Sequence, residues 1–366
     1  MSAALMTPER QMRELLQLIA TGPEYSKPLS RDQARIGMTL ILDGAVDPVQ
    51  AGVFLIALRM KRETDDENLG ILDALQAATR VVTAPVDSLV DIADPYDGFT
   101  RGLPSSPFLP AVLAACGIPA VSHGVEAVGP KFGISHRQVL RAAGAPVDLT
   151  PEAAASRLAD PDCGWAYVDQ AQFCPKLYAL TGLRKLIVKR PALTTIENLL
   201  GPIRARHHTH LVTGYVHTAY PRVYELLGRA AGFDSALIVR GVEGGVTPSL
   251  RQTGRMFYYR DQNEAQNYEL DPPSLGVDQP VRAAPLPEGI ELNAFSDDNT
   301  RQSAAQAAAD AGLAALKGES GPARDGLILG AALCLWHLGR YHDPQSAAGA
   351  VREVLDSGQA LACFKH

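Results

Sequence analysis

A chain of 366 residues, 46% hydrophobic and carrying a formal charge of -6, holds enough apolar material for one large or two ordinary domains. The negative balance disfavours nucleic acid or an anionic membrane as partner of the whole molecule, so a small molecule or a protein is expected unless a local basic patch overrides the average. Five cysteines, Cys116, Cys163, Cys174, Cys334 and Cys363, lack C-x-x-C spacing and read as reduced core thiols. No apolar run approaches the roughly 18 residues of a membrane span and no basic-then-apolar leader opens the chain, so no membrane partner and a cytoplasmic location are expected.

The first 80 residues read as helices. Ser30 caps a segment with Ala34, Met38, Ile41 and Leu42 on one face, and Asp43-Gly44 stops it. Asp47-Pro48 opens the next, which carries Val49, Val53, Phe54, Ile56 and Leu58 and ends in the cations Arg59, Lys61 and Arg62, suited to the negative end of the helix dipole. Thr64 to Glu67 is a capping box for a third helix running to about Arg80.

From about residue 88 short β-like runs alternate with helical ones: 89–93, 118–122, 166–168, 211–216 and 236–239. Such alternation predicts a mostly parallel sheet covered on both faces. Helices are expected at 151–158, 221–231, 300–316 and 324–338, and Gly254 to Pro287 reads as a strand pair with a surface excursion. The loop Asp94-Pro95-Tyr96-Asp97-Gly98, then Ser122-His123-Gly124, then Gly129-Pro130-Lys131-Phe132-Gly133 follow strand ends, where an open α/β sheet builds an anion-binding crevice. On composition alone Asp-Pro-Tyr-Asp-Gly is either a solvated turn or part of that crevice.

Several stretches resemble anthranilate phosphoribosyltransferase and its relatives, in that family's order. They are Pro28 to Gly44, Pro48 to Thr64, Cys116 to Gly124, Asn198-Leu199-Leu200-Gly201-Pro202, Tyr268-Glu269-Leu270-Asp271-Pro272 and Gly321-Pro322-Ala323-Arg324-Asp325. Leu177 to Leu180 with Arg184 is also similar to the related pyrimidine nucleoside phosphorylases. The resemblance implies an α/β protein: a small helical domain, 1–84 with about 171–205, and a larger α/β domain, 85–170 with 206–366, built on a mostly parallel sheet. It further implies a homodimer formed through the helical part.

The resemblance also places the site. The family's Gly-Thr-Gly-Gly-Asp loop, whose amides approach the pyrophosphate of phosphoribosyl pyrophosphate, corresponds to Asp94 through Gly98, with Tyr96 adding bulk and Asp94 and Asp97 adding negative charge. Ser105 and Ser106 fall on the family's Ser/Thr pair and either bind an anion or cap a helix. His123 and Gly124 persist from a Lys-His-Gly-Asn-Arg loop whose flanks here are Ser122, Val125 and Glu126, while Lys131 persists as a crevice cation and Arg184 as the acceptor-guiding arginine. Asp97, Lys131 and Arg184 are therefore the expected catalytic residues, and Asp94, Tyr96, Gly98, Ser105, Ser106, His123 and Gly124 the ligand-binding ones. Magnesium is implied near Glu243, with Val246-Thr247 standing where the family's acidic pair belongs. Two functions stay open: a pentosyltransferase acting on a small phosphorylated substrate through a diverged site, outside tryptophan synthesis, or a non-catalytic relative that binds nucleic acid or another anion through the basic tract 184–206.

Overall fold

The computed structural model describes residues 7–22 and 24–366. Four helices come first: α1 (Pro8–Ile19), α2 (Arg31–Leu42), α3 (Pro48–Lys61) and α4 (Asp65–Ala78). The start signals act where the sequence places them. Ser30 with Gln33, and Thr64 with Glu67, form capping boxes, and Asp47 caps the Pro48 start. Glu67 does more than cap, because its buried carboxylate also accepts from the Leu29 N–H at 2.8 Å and pairs with Lys61 at 2.6 Å.

A two-residue parallel pair, β1 (Val82–Thr83) with β5 (Ile203–Arg204), lies apart from the main sheet. The other strands are β2 (Ser88–Ala93), β3 (Ala120–Gly124), β4 (Trp165–Asp169), β6 (His208–Gly214), β7 (Ser235–Val239), β8 (Gly254–Arg260) and β9 (Gln266–Leu270), in the order β4-β3-β2-β6-β7-β8-β9. The first five in that order run parallel, and β8 and β9, the foreseen strand pair, join antiparallel. The chain winds outward from β2 through β3 to β4, then returns to place β6 on the other side of β2. That reversal makes the carboxyl ends of β2 and β6 the switch point where such sheets open a crevice.

Strand β2 is buried on both faces, with side chains alternating between two cores. Val90 and Ile92 pack with α5 (Leu109–Ala115), α13 (Asp298–Leu316) and α14 (Pro322–His337), while Leu89 and Ala93 pack on the side of α1 to α4. The connections include α6 (His136–Ala142), α7 (Pro151–Leu158) and α12 (Tyr220–Ala230). Between β4 and β5 the chain makes four short helices, α8 (Gln170–Phe173), α9 (Pro175–Tyr178), α10 (Thr181–Ile187) and α11 (Leu193–Ile196), and it ends in α15 (Pro344–Asp356) and α16 (Gln359–Lys365). Among the described residues no helix is long and apolar enough to cross a membrane, and all five cysteines are unpaired.

The amino ends of the strands carry a histidine pair, His337 buried and His210 half-buried. His210 Nδ1 and His337 Nε2 each lie 2.8 Å from the Ser235 hydroxyl, and His210 Nε2 lies 3.1 Å from that of Ser88. Burial pushes His210 down to about 4 and His337 to about 3, the latter helped by Arg260. Both are neutral in the fold, yet protonate near 6.5 once unfolded. Their stabilisation is thus complete above pH 6.5 and is lost as pH falls toward 4 and then 3, at about 1.4 kcal/mol per unit per histidine. Urea midpoints taken between about pH 7 and pH 5 should fall accordingly, and His337→Gln should reduce that slope by about half, leaving the share of His210; an unchanged slope would place the acid sensitivity elsewhere.

Candidate functional site

The loop that leaves β2 is fixed by its own side chains. Asp94, 2% exposed, receives the Val246 N–H on Oδ1 at 2.6 Å, and on Oδ2 the Ser106 hydroxyl and His136 Nε2, the latter at 2.6 Å. One carboxylate thereby ties four segments together: the end of β2, the turn before α5, the start of α6 and the loop after β7. The β7 loop can approach because Gly214, Gly241 and Gly245 lack a Cβ; one on Gly214 would sit 2.1 Å from the Gly245 carbonyl oxygen.

Tyr96 turns into the protein. Its hydroxyl bonds His123 Nδ1, and His123 Nε2 meets Asp91 Oδ1 at 2.8 Å, all three residues being buried. Burial, then the nearby Glu197, Tyr167 and acidic neighbours, pushes the Tyr96 phenol well above its ordinary range, so it stays protonated. Gly124 ends β3 against Tyr167, whose hydroxyl would lie 3.2 Å from a Cβ there. Gly98, at a φ of +74°, lets the chain turn tightly, with its N–H donating to the Pro95 carbonyl at 3.0 Å.

Asp97 is the meeting point of two cations. Its Oδ2 accepts from Arg190 at 2.7 and 3.0 Å, and its Oδ1 lies 3.3 Å from Lys131 Nζ. Lys131 also stands 3.8 Å from Glu243. Glu243 crosses from the β7 loop to accept from the Thr100 N–H at 3.0 and 3.1 Å, the Thr100 hydroxyl at 3.1 Å and the Arg101 N–H at 2.8 Å. Ser105 is buried and lines a cavity of only about 20 Å³ together with Phe99, Ser106, Glu243 and Thr247, room for one water and no more.

Arg184 is buried as well. It is 2% exposed, and its two terminal nitrogens bond Glu197 at 2.7 and 2.6 Å, with Gln170 adding a third donor to the same carboxylate at 3.1 Å. Asp94, Asp97, Lys131, Ser105, Ser106 and Glu243 therefore gather at the switch point, whereas Tyr96 and His123 form a buried network and Arg184 a buried ion pair. Magnesium needs oxygens with free lone pairs and little competing positive charge. Asp94 has both oxygens engaged, Asp97 faces two cations and Glu243 is held by amides, so these residues, as arranged, do not fit a divalent cation.

The residues 184–206 read as one basic tract divide in space. Arg190 reaches the crevice, Arg204 packs over the Phe233 ring at 4.0 Å and bonds the carbonyls of Gly201, Ala231 and Gly232, and Arg206 lies just ahead of β6. The length of β6, about 20 Å at 3.3 Å per residue, separates Arg206 from the crevice end. Sequence reasoning missed Thr100, His136 and Glu197. The last left a signal, since an acid within Thr195-Ile196-Glu197-Asn198-Leu199-Leu200 is bound for the interior and needs a cation.

A helical bundle attached to an open α/β domain, with polar groups collected at the switch point, defines a two-part scaffold with one candidate crevice. The chain belongs to the glycosyl transferase family that combines these parts: its helical bundle domain matches residues 13–79 and its a/b domain residues 105–361. Anthranilate phosphoribosyltransferase of Novosphingobium aromaticivorans is 28% identical over 342 residues, covering 93% of this chain and 96% of that protein. The Bradyrhizobium diazoefficiens enzyme of the same name is 26% identical over 357 residues, 97% of each. Among solved structures, the anthranilate phosphoribosyltransferase of Thermus thermophilus superposes with a TM-score of 0.69 at 21% identity, covering 97% of each chain. The Saccharomyces cerevisiae enzyme in complex with PRPP and Mg gives 0.72 at 15% identity, covering 97% of this chain and 96% of that one.

Proposed function

We propose that this protein transfers a phosphoribosyl group from an activated diphosphate donor to an acceptor other than anthranilate, at the crevice beyond the carboxyl ends of β2, β3 and β6. The convergence of Lys131 and Arg190 on Asp97 is the observation that carries this reading, because two cations at a switch point suit a leaving diphosphate. In the reaction the acceptor's nucleophile bonds to the anomeric carbon as the bond from that carbon to the diphosphate oxygen breaks. The electron pair leaves with diphosphate, and the acceptor's proton goes to water. Lys131 and Arg190 hold the departing charge, and Asp97, once they have turned to the ligand, faces the cationic sugar. The family match and the relatives' names support the transfer chemistry.

The acceptor is argued from Arg184. With both ends of its guanidinium on Glu197, it has no fork to offer the carboxylate of anthranilate. Calorimetry with phosphoribosyl pyrophosphate and magnesium, beside a fluorescence assay for anthranilate consumption, tests both halves. Donor binding that weakens in Lys131→Met, without anthranilate turnover, is the expected result. Anthranilate ribosylation would refute the choice of acceptor, and absence of donor binding in every variant would refute the transferase. The nucleic-acid alternative requires residues 184–206 to act as one face, and their separation by the length of β6 weighs against it.

We infer in addition that the helical part carries a homodimer interface. A groove of about 760 Å³ runs between α3 and α10, where Val49, Val53, Met60 and Leu186 are 73, 41, 76 and 80% exposed. Burying apolar chains of this size on two adjacent helices is what a second copy would supply. Light scattering that returned the mass of a single chain would dismiss it.

A further inference from the structure

Glu243 lies in a place built for an anion. Two successive backbone N–H groups, Thr100 and Arg101, and the Thr100 hydroxyl all donate to its carboxylate, and Lys131 stands 3.8 Å away. Consecutive amides aimed at one point, with a lysine beside them, form a nest of the kind that holds phosphate oxygens. The carboxylate filling it comes from the far side of the crevice, 143 residues along the chain. Its side chain is only 7% exposed.

The backbone bears the mark of this arrangement. Glu243 adopts a φ of +55° and ψ of +17°, the left-handed region that side-chain-bearing residues seldom enter and that persists only where surroundings enforce it. Its neighbour Gly244, at a φ of +88°, completes a tight turn that Gly241, Gly245 and the Val246 N–H keep pinned, so the carboxylate is released by rotation of the Glu243 side chain. The adjoining cavity of about 20 Å³ admits no phosphorylated sugar while Glu243 is in place.

We infer that the amides of Thr100 and Arg101, with the Thr100 hydroxyl and Lys131, form an oxyanion site for a diphosphate, and that the protein fills this site with its own Glu243 carboxylate until a ligand displaces it. The ligand class rests on the phosphoribosyl reading above. The displacement itself rests on geometry alone: a carboxylate and a phosphate present like oxygens to the same donors, so the two exclude each other.

Inorganic pyrophosphate is the probe, titrated by calorimetry into the full-length protein and its variants. Glu243→Gln keeps the volume but drops the competing charge, and Glu243→Asp keeps the charge but is too short to reach the nest; both should bind pyrophosphate roughly tenfold more tightly than the parent, or better. Adding Lys131→Met to either should abolish the gain. Amide exchange at Thr100 and Arg101 should quicken in both single variants and slow again with pyrophosphate, a readout that also reports whether the fold is intact. Two folded variants that bind no better than the parent would overturn the inference, as would a gain that ignores Lys131. If the gain appears but no variant binds phosphoribosyl pyrophosphate, the nest stands and the transferase reading falls. Donor binding as tight in the parent as in Glu243→Gln would leave the transferase standing and remove the displacement.

Discussion

Arg184→Ala should destabilise the protein by about 3–5 kcal/mol, because it strands a buried carboxylate that loses two charged hydrogen bonds at once. Glu197 is fully buried, and Gln170 is its other side-chain donor among the described residues, too little to solvate a full charge. The paired substitution Arg184→Met with Glu197→Met should return most of that loss, since removing both charges also removes their desolvation cost. Urea denaturation of the three proteins measures this directly. Should the single variant lie within about 1 kcal/mol of the parent, the ion pair would have to be wetter than its burial indicates.

Asp94→Ala is expected to cost nearly as much, about 3 kcal/mol or more, for a different reason. Here three donors lose one acceptor. The Val246 N–H, the Ser106 hydroxyl and the His136 ring are buried together, and no neighbouring oxygen replaces the carboxylate for all of them. Asn at this position restores one acceptor oxygen while aiming an amide N–H at another donor, so it should recover only part of the loss. Hydrogen exchange at Val246 provides the local readout: it should quicken in the alanine variant well before global unfolding. Exchange there that matched the parent would show that the β7 loop is held by something other than Asp94.

The sequence made the scaffold legible wherever a local rule decided it. Ser30, Asp47 and Thr64 open helices as their capping chemistry requires, and the strand pair at β8 and β9 falls inside the stretch read as one. Strand β6 begins at His208, three residues before the apolar run, because its opening His208-Thr209-His210 is polar on both faces and so disguises the strand. The four short helices from Gln170 to Ile196 escaped because pieces of four to seven residues show no period to read. At the site the loop itself was found, but its wiring was not. Asp94 reaches Val246 across 152 positions and Asp97 reaches Arg190 across 93, distances over which pattern carries no information. Arg184 shows the converse, since a charge read as facing a ligand is satisfied by Glu197 just 13 residues on.

The self-paired charges of the crevice bear on how fast a ligand arrives. Lys131 and Arg190 face Asp97 and Glu243, so both cations are already paired within the protein and offer an approaching anion no unopposed charge. Around it the molecule carries a formal charge of -6. An incoming anion is therefore not drawn in, and its association should quicken as added salt screens the like charge of the molecule. With the displacement inferred above, capture is timed by how often the Glu243 carboxylate leaves its amides, so the swing of one side chain, rather than diffusion, is the clock of the first encounter.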